Sequence, residues 1–144
     1  MPTPHSTASL FAPAFALAAW TFCILVLIAF RRLQAGFNGT ISPREYALGE
    51  SGRVTATVSL PNRNYMNLLE LPLLFYVAVL LAHATANATP LLIGLAWAYV
   101  ALRIVHSLIH ITYNHVLHRF LAFAASNFVL LGMWALLARA ILLS

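Results

Sequence analysis

Four apolar runs, each about twenty residues long and parted by polar connections, constrain this chain more than anything else in it. The first is apolar from Leu10 to Phe30 except for Thr21, and Arg31 and Arg32 end it. As a helix it would measure roughly 31 Å, the thickness of a bilayer's hydrocarbon core. No cationic segment precedes it, and it is longer than the apolar core of a cleaved leader, so it reads as a retained span. Pro13 falls near the first turn, where a missing N–H is tolerated. Spans are expected over about 10–32, 62–82, 91–113 and 120–140. Residues 1–144 then form a single four-span membrane domain, an all-α integral membrane four-helix bundle.

The polar connections orient that bundle. Residues 1–9 are polar and uncharged and read as a frayed terminus. Residues 34–60 are rich in glycine and read as a surface loop, although 53–60 alternates weakly and has an extended pattern. Pro61 announces the second helix, and 83–90 is a short turn. Net charge is +5 with eight arginines and no lysine. In a chain that is 62% hydrophobic and 8% charged, this pattern points to membrane orientation and not to nucleic acid. Arg31, Arg32, Arg44, Arg53 and Arg63 flank or fill the first connection, and Arg119 with His115 and His118 marks the third. The second connection has no arginine and the tails only Arg139, so the basic connections should be cytoplasmic and the termini periplasmic. Cys23 is the single cysteine, so no internal disulfide can form.

Two stripes of polar residues interrupt the spans. At about 100° per residue, Arg103, His106, His110 and Asn114 share one face of the third span. Arg63, Asn67 and Glu70 share a face of the second. Lipid cannot solvate such groups, so each stripe must meet another helix or a polar ligand. Glu70 and Arg103 are the only opposite charges deep in adjacent spans, and they are expected to pair, within one subunit or across a subunit boundary. For these two residues a structural clamp is the favoured reading, ahead of a role in binding.

Asn67-x-x-Glu70 followed by Pro72, then Arg103-x-x-His106 with Arg119 sixteen positions after Arg103, resembles the MAPEG membrane proteins. The resemblance runs over all four spans, with its distinctive residues at 63–72 and 103–119. It implies a homotrimer of four-helix subunits, with glutathione held between subunits near the cytoplasmic face. Arg63, Asn67, Glu70, Arg103, His106 and His110 would bind that cofactor, and Arg119 would stabilise its thiolate as the catalytic residue. This chain departs from the family at Met66, where some members carry an arginine, at His110, often tyrosine, and at Phe120, where one carries serine.

The residues around Arg119 support an anion site by themselves. Arg119 directly precedes the fourth apolar run, so cation and helix terminus both favour a bound anion. A thiol with an ordinary pKa of about 8.5 would ionise more readily there. The competing reading makes Arg119 an anchor for phospholipid headgroups. His106 and His110, with His115 and His118 beyond, have metal-ligand spacing, but no cysteine joins them and no metal is expected. Trp20, Trp97, Tyr99 and Trp134 read as packing or interface anchors, and Ala125, Ser126 and Gly132 as a close-approach face of the fourth span. The expected activity is conjugation or reduction of a lipophilic electrophile, entering from the bilayer, by glutathione or a related thiol. The alternative is a non-catalytic binding or scaffold protein on the same fold.

Overall fold

The computed structural model describes residues 4–46, 52 and 54–143. Its helices are α1 (Pro4–Phe37), α2 (Ala56–Leu69), α3 (Pro72–Ala84), α4 (Pro90–Ile111) and α5 (Val116–Leu142), with a 3₁₀ turn at Pro43–Tyr46. No strand occurs among the described residues. Four elements are long and apolar enough to cross a membrane: Thr7–Phe37, Ala56–Ala84, Pro90–Ile111 and Val116–Leu142.

Several boundaries differ from the sequence reading, each for a physical reason. α1 is 34 residues long, about 51 Å, so it overruns the hydrocarbon at both ends. Hydropathy marks where lipid stops and not where hydrogen bonding stops, so 4–9 are helical rather than frayed; residues 1–3 lie outside the described ones. α2 begins at Ala56, inside the stretch read as loop or extended chain; Arg53, at its start, and residues 47–51 of the same loop are not described. Thr55, at φ −64° and ψ 151°, starts the helix, and its carbonyl accepts from Val58 and Ser59. Val58 then packs with Ala35 and Ile41 in a small buried cluster, and this packing overrides the strand preference of Thr57 and Val58. Pro61 consequently sits within α2 and not at its start.

The second span is also broken. Pro72 has no N–H to return to Leu68, so α2 stops at Leu69 and α3 starts afresh with Pro72 in its first turn. Glu70 becomes the C-terminal cap of α2, with ψ −93°, and leaves the face it was expected to share with Arg63 and Asn67. α4 is bounded more conventionally. Thr89 Oγ1 accepts from the Leu92 N–H at 3.3 Å, and Pro90 occupies the first turn.

α4 is the centre of the bundle. Leu92, Ala96, Tyr99, Val100 and Arg103 are buried along it, and its most extensive packing is against α5. Leu10, Leu17 and Ile24 line the inner face of α1 at heptad spacing, and Phe75 stacks on Tyr99 at 4.7 Å between centroids. Phe15, Phe22, Val26 and Phe30, on the outer side of α1, are more than half exposed, as lipid-facing residues would be. Trp20 does more than pack, because its Nε1 donates to Ser107 Oγ at 2.9 Å. Gly132 is not a point of close approach within the chain, since a Cβ added there would meet nothing within 4 Å.

The ends of the bundle sort by charge. Phe11 meets His83, and Asn87 and Thr89 share a cavity with Arg139, so the N-terminal end of α1, the α3–α4 turn and the C-terminal end of α5 lie together. At the other end Arg63 lies near His110 and Arg119, and Arg31 near Thr57. The basic connections therefore occupy one end.

Candidate functional site

A cavity of about 410 Å³ opens at the basic end between α2, α4 and α5. Arg63 and Asn67 face it from α2, His106 and His110 from α4, and Arg119 from the first turn or so of α5. The helical spacing explains the convergence: 63 and 67 are one turn apart, as are 106 and 110. Val116, Phe120 and Phe123 supply an apolar wall on α5.

Arg103 lies behind this cavity and not on its surface. It is fully buried, and its Nη2 donates to the main-chain carbonyl of Asn67. That carbonyl belongs to the last turn of α2, where carbonyls have no helical partner, and the break before Pro72 leaves it free. A guanidinium at this helix terminus also meets the negative end of the α2 dipole. Its Cζ lies 5.5 Å from the centre of the Phe123 ring, so Arg103 links α2, α4 and α5. The Nε and Nη1 groups are buried with no protein partner.

The expected Glu70–Arg103 pair is not made within the chain. Glu70 is exposed at the helix break, and Arg103 turns to the carbonyl that the same break releases. Glu70 does not line the cavity. Of the other six expected residues, five line the cavity and Arg103 lies behind it.

Asn114 also departs from the sequence reading. α4 ends at Ile111, so Asn114 does not continue the stripe of Arg103, His106 and His110. It stands in the turn before α5 at φ +47°, a conformation asparagine tolerates better than most side chains. Its N–H donates to Ile109 at 2.8 Å, and its Oδ1 accepts from Arg119 Nη1 at 2.8 Å. Arg119 is thus held from the turn side. His115 caps α5, and its ring lies 4.4 Å from that of His118, which in turn meets the Tyr113 hydroxyl at 3.2 Å.

The histidine rings at 106 and 110 are 5.9 Å apart and tilted by 43°, and His106 lies 5.7 Å from Phe123. Both Nδ1 atoms are buried without a protein partner. Sequence reasoning missed the polar node beneath them. Ser107 Oγ accepts from Asn64 Nδ2 at 2.6 Å as well as from Trp20, fixing α1, α2 and α4 together. The available signal was Asn64 itself, an amide about 100° round α2 from Arg63 and fully buried. Met66, one of the family departures, is about half exposed and is not part of the cavity.

The family model for the MAPEG family matches residues 10–139, nearly the whole chain. The chain belongs to the MAPEG family. As a MAPEG protein it is an all-α, integral membrane four-helix bundle, and the cavity lies at the basic end of that bundle. No curated protein and no solved structure matches it.

Proposed function

We propose that this MAPEG protein is a homotrimeric, membrane-embedded thiol transferase or peroxidase that uses glutathione or a closely related thiol against lipophilic electrophiles. The observation that carries the reading is the cavity uniting Arg63, Asn67, His106, His110 and Arg119 with an apolar wall. Two guanidinium groups and an amide suit a ligand with carboxylates and an ionisable thiol. Glutathione also has an ammonium group, and the cavity of the single chain offers it no carboxylate. Glu70 is the one acid within the membrane-spanning segments, and it is exposed. An exposed carboxylate facing lipid is costly, so a neighbouring subunit is its natural environment, where it is available to that ammonium. This supports a site completed by a second copy, at the cytoplasmic face of a bacterial inner membrane, with the termini on the periplasmic side.

In this reading Arg119, near the N-terminus of α5, stabilises the thiolate left when the thiol proton passes to solvent or to a neutral histidine. Arg63 and Asn67 orient the rest of the ligand. The thiolate attacks the electrophilic carbon; a sulfur–carbon bond forms and the displaced group leaves with the bonding pair. With a hydroperoxide the thiolate instead attacks the terminal oxygen, the O–O bond breaks to release the alcohol and leave a sulfenic acid, and a second thiol condenses with that sulfenic acid to give a disulfide and water. Phe120 and Phe123 would hold the apolar part of the acceptor.

The test is calorimetric titration of the purified protein with glutathione, combined with a mass measurement in detergent. The expected result is a trimer that binds glutathione at millimolar or lower concentration and conjugates a chloronitrobenzene. A monomer, or a trimer with no binding and no turnover, would replace this reading with the non-catalytic scaffold.

A further inference from the structure

A second polar cavity lies at the same end of the bundle, on another side of α2. It measures about 250 Å³ and is lined by Arg31, Gln34, Asn38, Thr40, Thr57 and Val58, with Ala35 at its base. We propose that it binds a phosphate group, as carried by an anionic phospholipid or by free phosphate.

The cavity is built and not a chance gap between side chains. The chain leaving α1 is folded back by three hydrogen bonds, from Asn38 to Gln34, Gly39 to Gly36 and Thr40 to Ala35. Gly39 takes φ +65° in that turn, a conformation that suits glycine. Thr40 Oγ1 also donates to Ala35, so the turn is closed twice. Beneath it Ala35, Ile41 and Val58 are buried together, fixing the end of α1 against the start of α2.

Its chemistry is that of an anion site. The lining contains one guanidinium, two amides and two hydroxyls, and no carboxylate. Arg31 supplies the cation of that lining. Thr57 and Val58 belong to the first turn of α2; the Val58 N–H is bonded to the Thr55 carbonyl, but Thr55 makes no side-chain cap, and the helix terminus adds to the positive field. The height is also right. Arg31 directly follows the apolar run ending at Phe30, which places the cavity where the hydrocarbon gives way to headgroups. Gln34 and Asn38 are exposed at the mouth, where a hydroxylated headgroup would lie.

The experiment is native mass spectrometry of the full-length protein in detergent with phosphatidylglycerol, phosphatidylcholine or inorganic phosphate added separately. Retention of phosphatidylglycerol over phosphatidylcholine by about tenfold is expected, as one charge-assisted contact gives. Arg31→Ala should abolish the preference. Thr57→Glu should do the same by repulsion while favouring the α2 N-terminus, which separates lost binding from lost folding. Arg44→Ala, an exposed cation outside the cavity, should leave the preference intact. Retention of inorganic phosphate alone, lost in the same two variants, would assign the site to the free ion. Equal retention in all variants, or equal loss with Arg44→Ala, would overturn the proposal and leave only general attraction to the basic end.

Discussion

Replacing Ser107 by alanine tests how the walls of the main cavity are held together. Ser107 and Asn64 are fully buried, and Ser107 Oγ is the acceptor for Asn64 Nδ2 at 2.6 Å and Trp20 Nε1 at 2.9 Å. The substitution removes one oxygen and almost no volume, so a cavity penalty is small beside the loss of both acceptors. By the aqueous scale two orphaned donors would cost about 2 to 6 kcal/mol. Within a membrane the unfolded helices find other partners, and measured bonds average about 0.6 and reach about 1.7 kcal/mol. The membrane value applies, which gives a loss of about 1 to 3 kcal/mol. Reversible unfolding in mixed micelles should register it, and in a Trp20→Phe background Ser107→Ala should cost less by about 0.6 kcal/mol or more. Because Ser107 adjoins His106, and Asn64 adjoins Arg63, the same variant should weaken ligand binding in the cavity. A Ser107→Ala protein as stable as the parent, or a cycle with no coupling, would refute the node.

Other consequences can be measured separately. Ala86 closes α3 at φ +55°, with Ala86 bonded to His83 and Asn87 to Ala82, so Ala86→Gly should raise stability by about 1 kcal/mol in the same unfolding assay. Glu70→Gln and Arg103→Ala should be additive within about 0.5 kcal/mol, because Arg103 serves the Asn67 carbonyl; coupling well above that would place the carboxylate on Arg103 across a subunit boundary. With Cys23 replaced by serine, cysteines introduced at Glu45 and Ala88 should label from opposite sides of the membrane, and labelling from one side would contradict the four-span arrangement.

The spans were legible because an 18-residue apolar stretch has few alternatives to a membrane helix, and the two stripes were legible because ionisable groups in such a stretch are rare. Five of the proposed residues converge since helical periodicity alone puts 63 with 67 and 106 with 110. What did not hold within one chain was pairing by charge. Glu70 and Arg103 matched in sign and depth, but the helix break before Pro72 leaves the Asn67 carbonyl to Arg103, and main-chain geometry of this kind leaves little trace in composition. The start of α2 failed for a related reason, since Val58 is helical only through its contacts with Ala35 and Ile41. Asn114 was assigned to a helix that ends three residues before it, and its contact with Arg119 depends on the turn.

The central claim is that Arg119 stabilises a thiolate, and turnover of glutathione with a model electrophile by Arg119→Ala tests it most directly. A transition-state loss of about 2 to 4 kcal/mol is predicted, roughly thirty- to a thousandfold in rate. Glutathione affinity should fall much less, since Arg63 and Asn67 remain in the cavity, and the thiolate absorbance of the bound ligand near neutral pH should disappear. Unchanged turnover and thiolate absorbance, with only expression reduced, would show instead that Arg119 anchors the helix at the membrane surface.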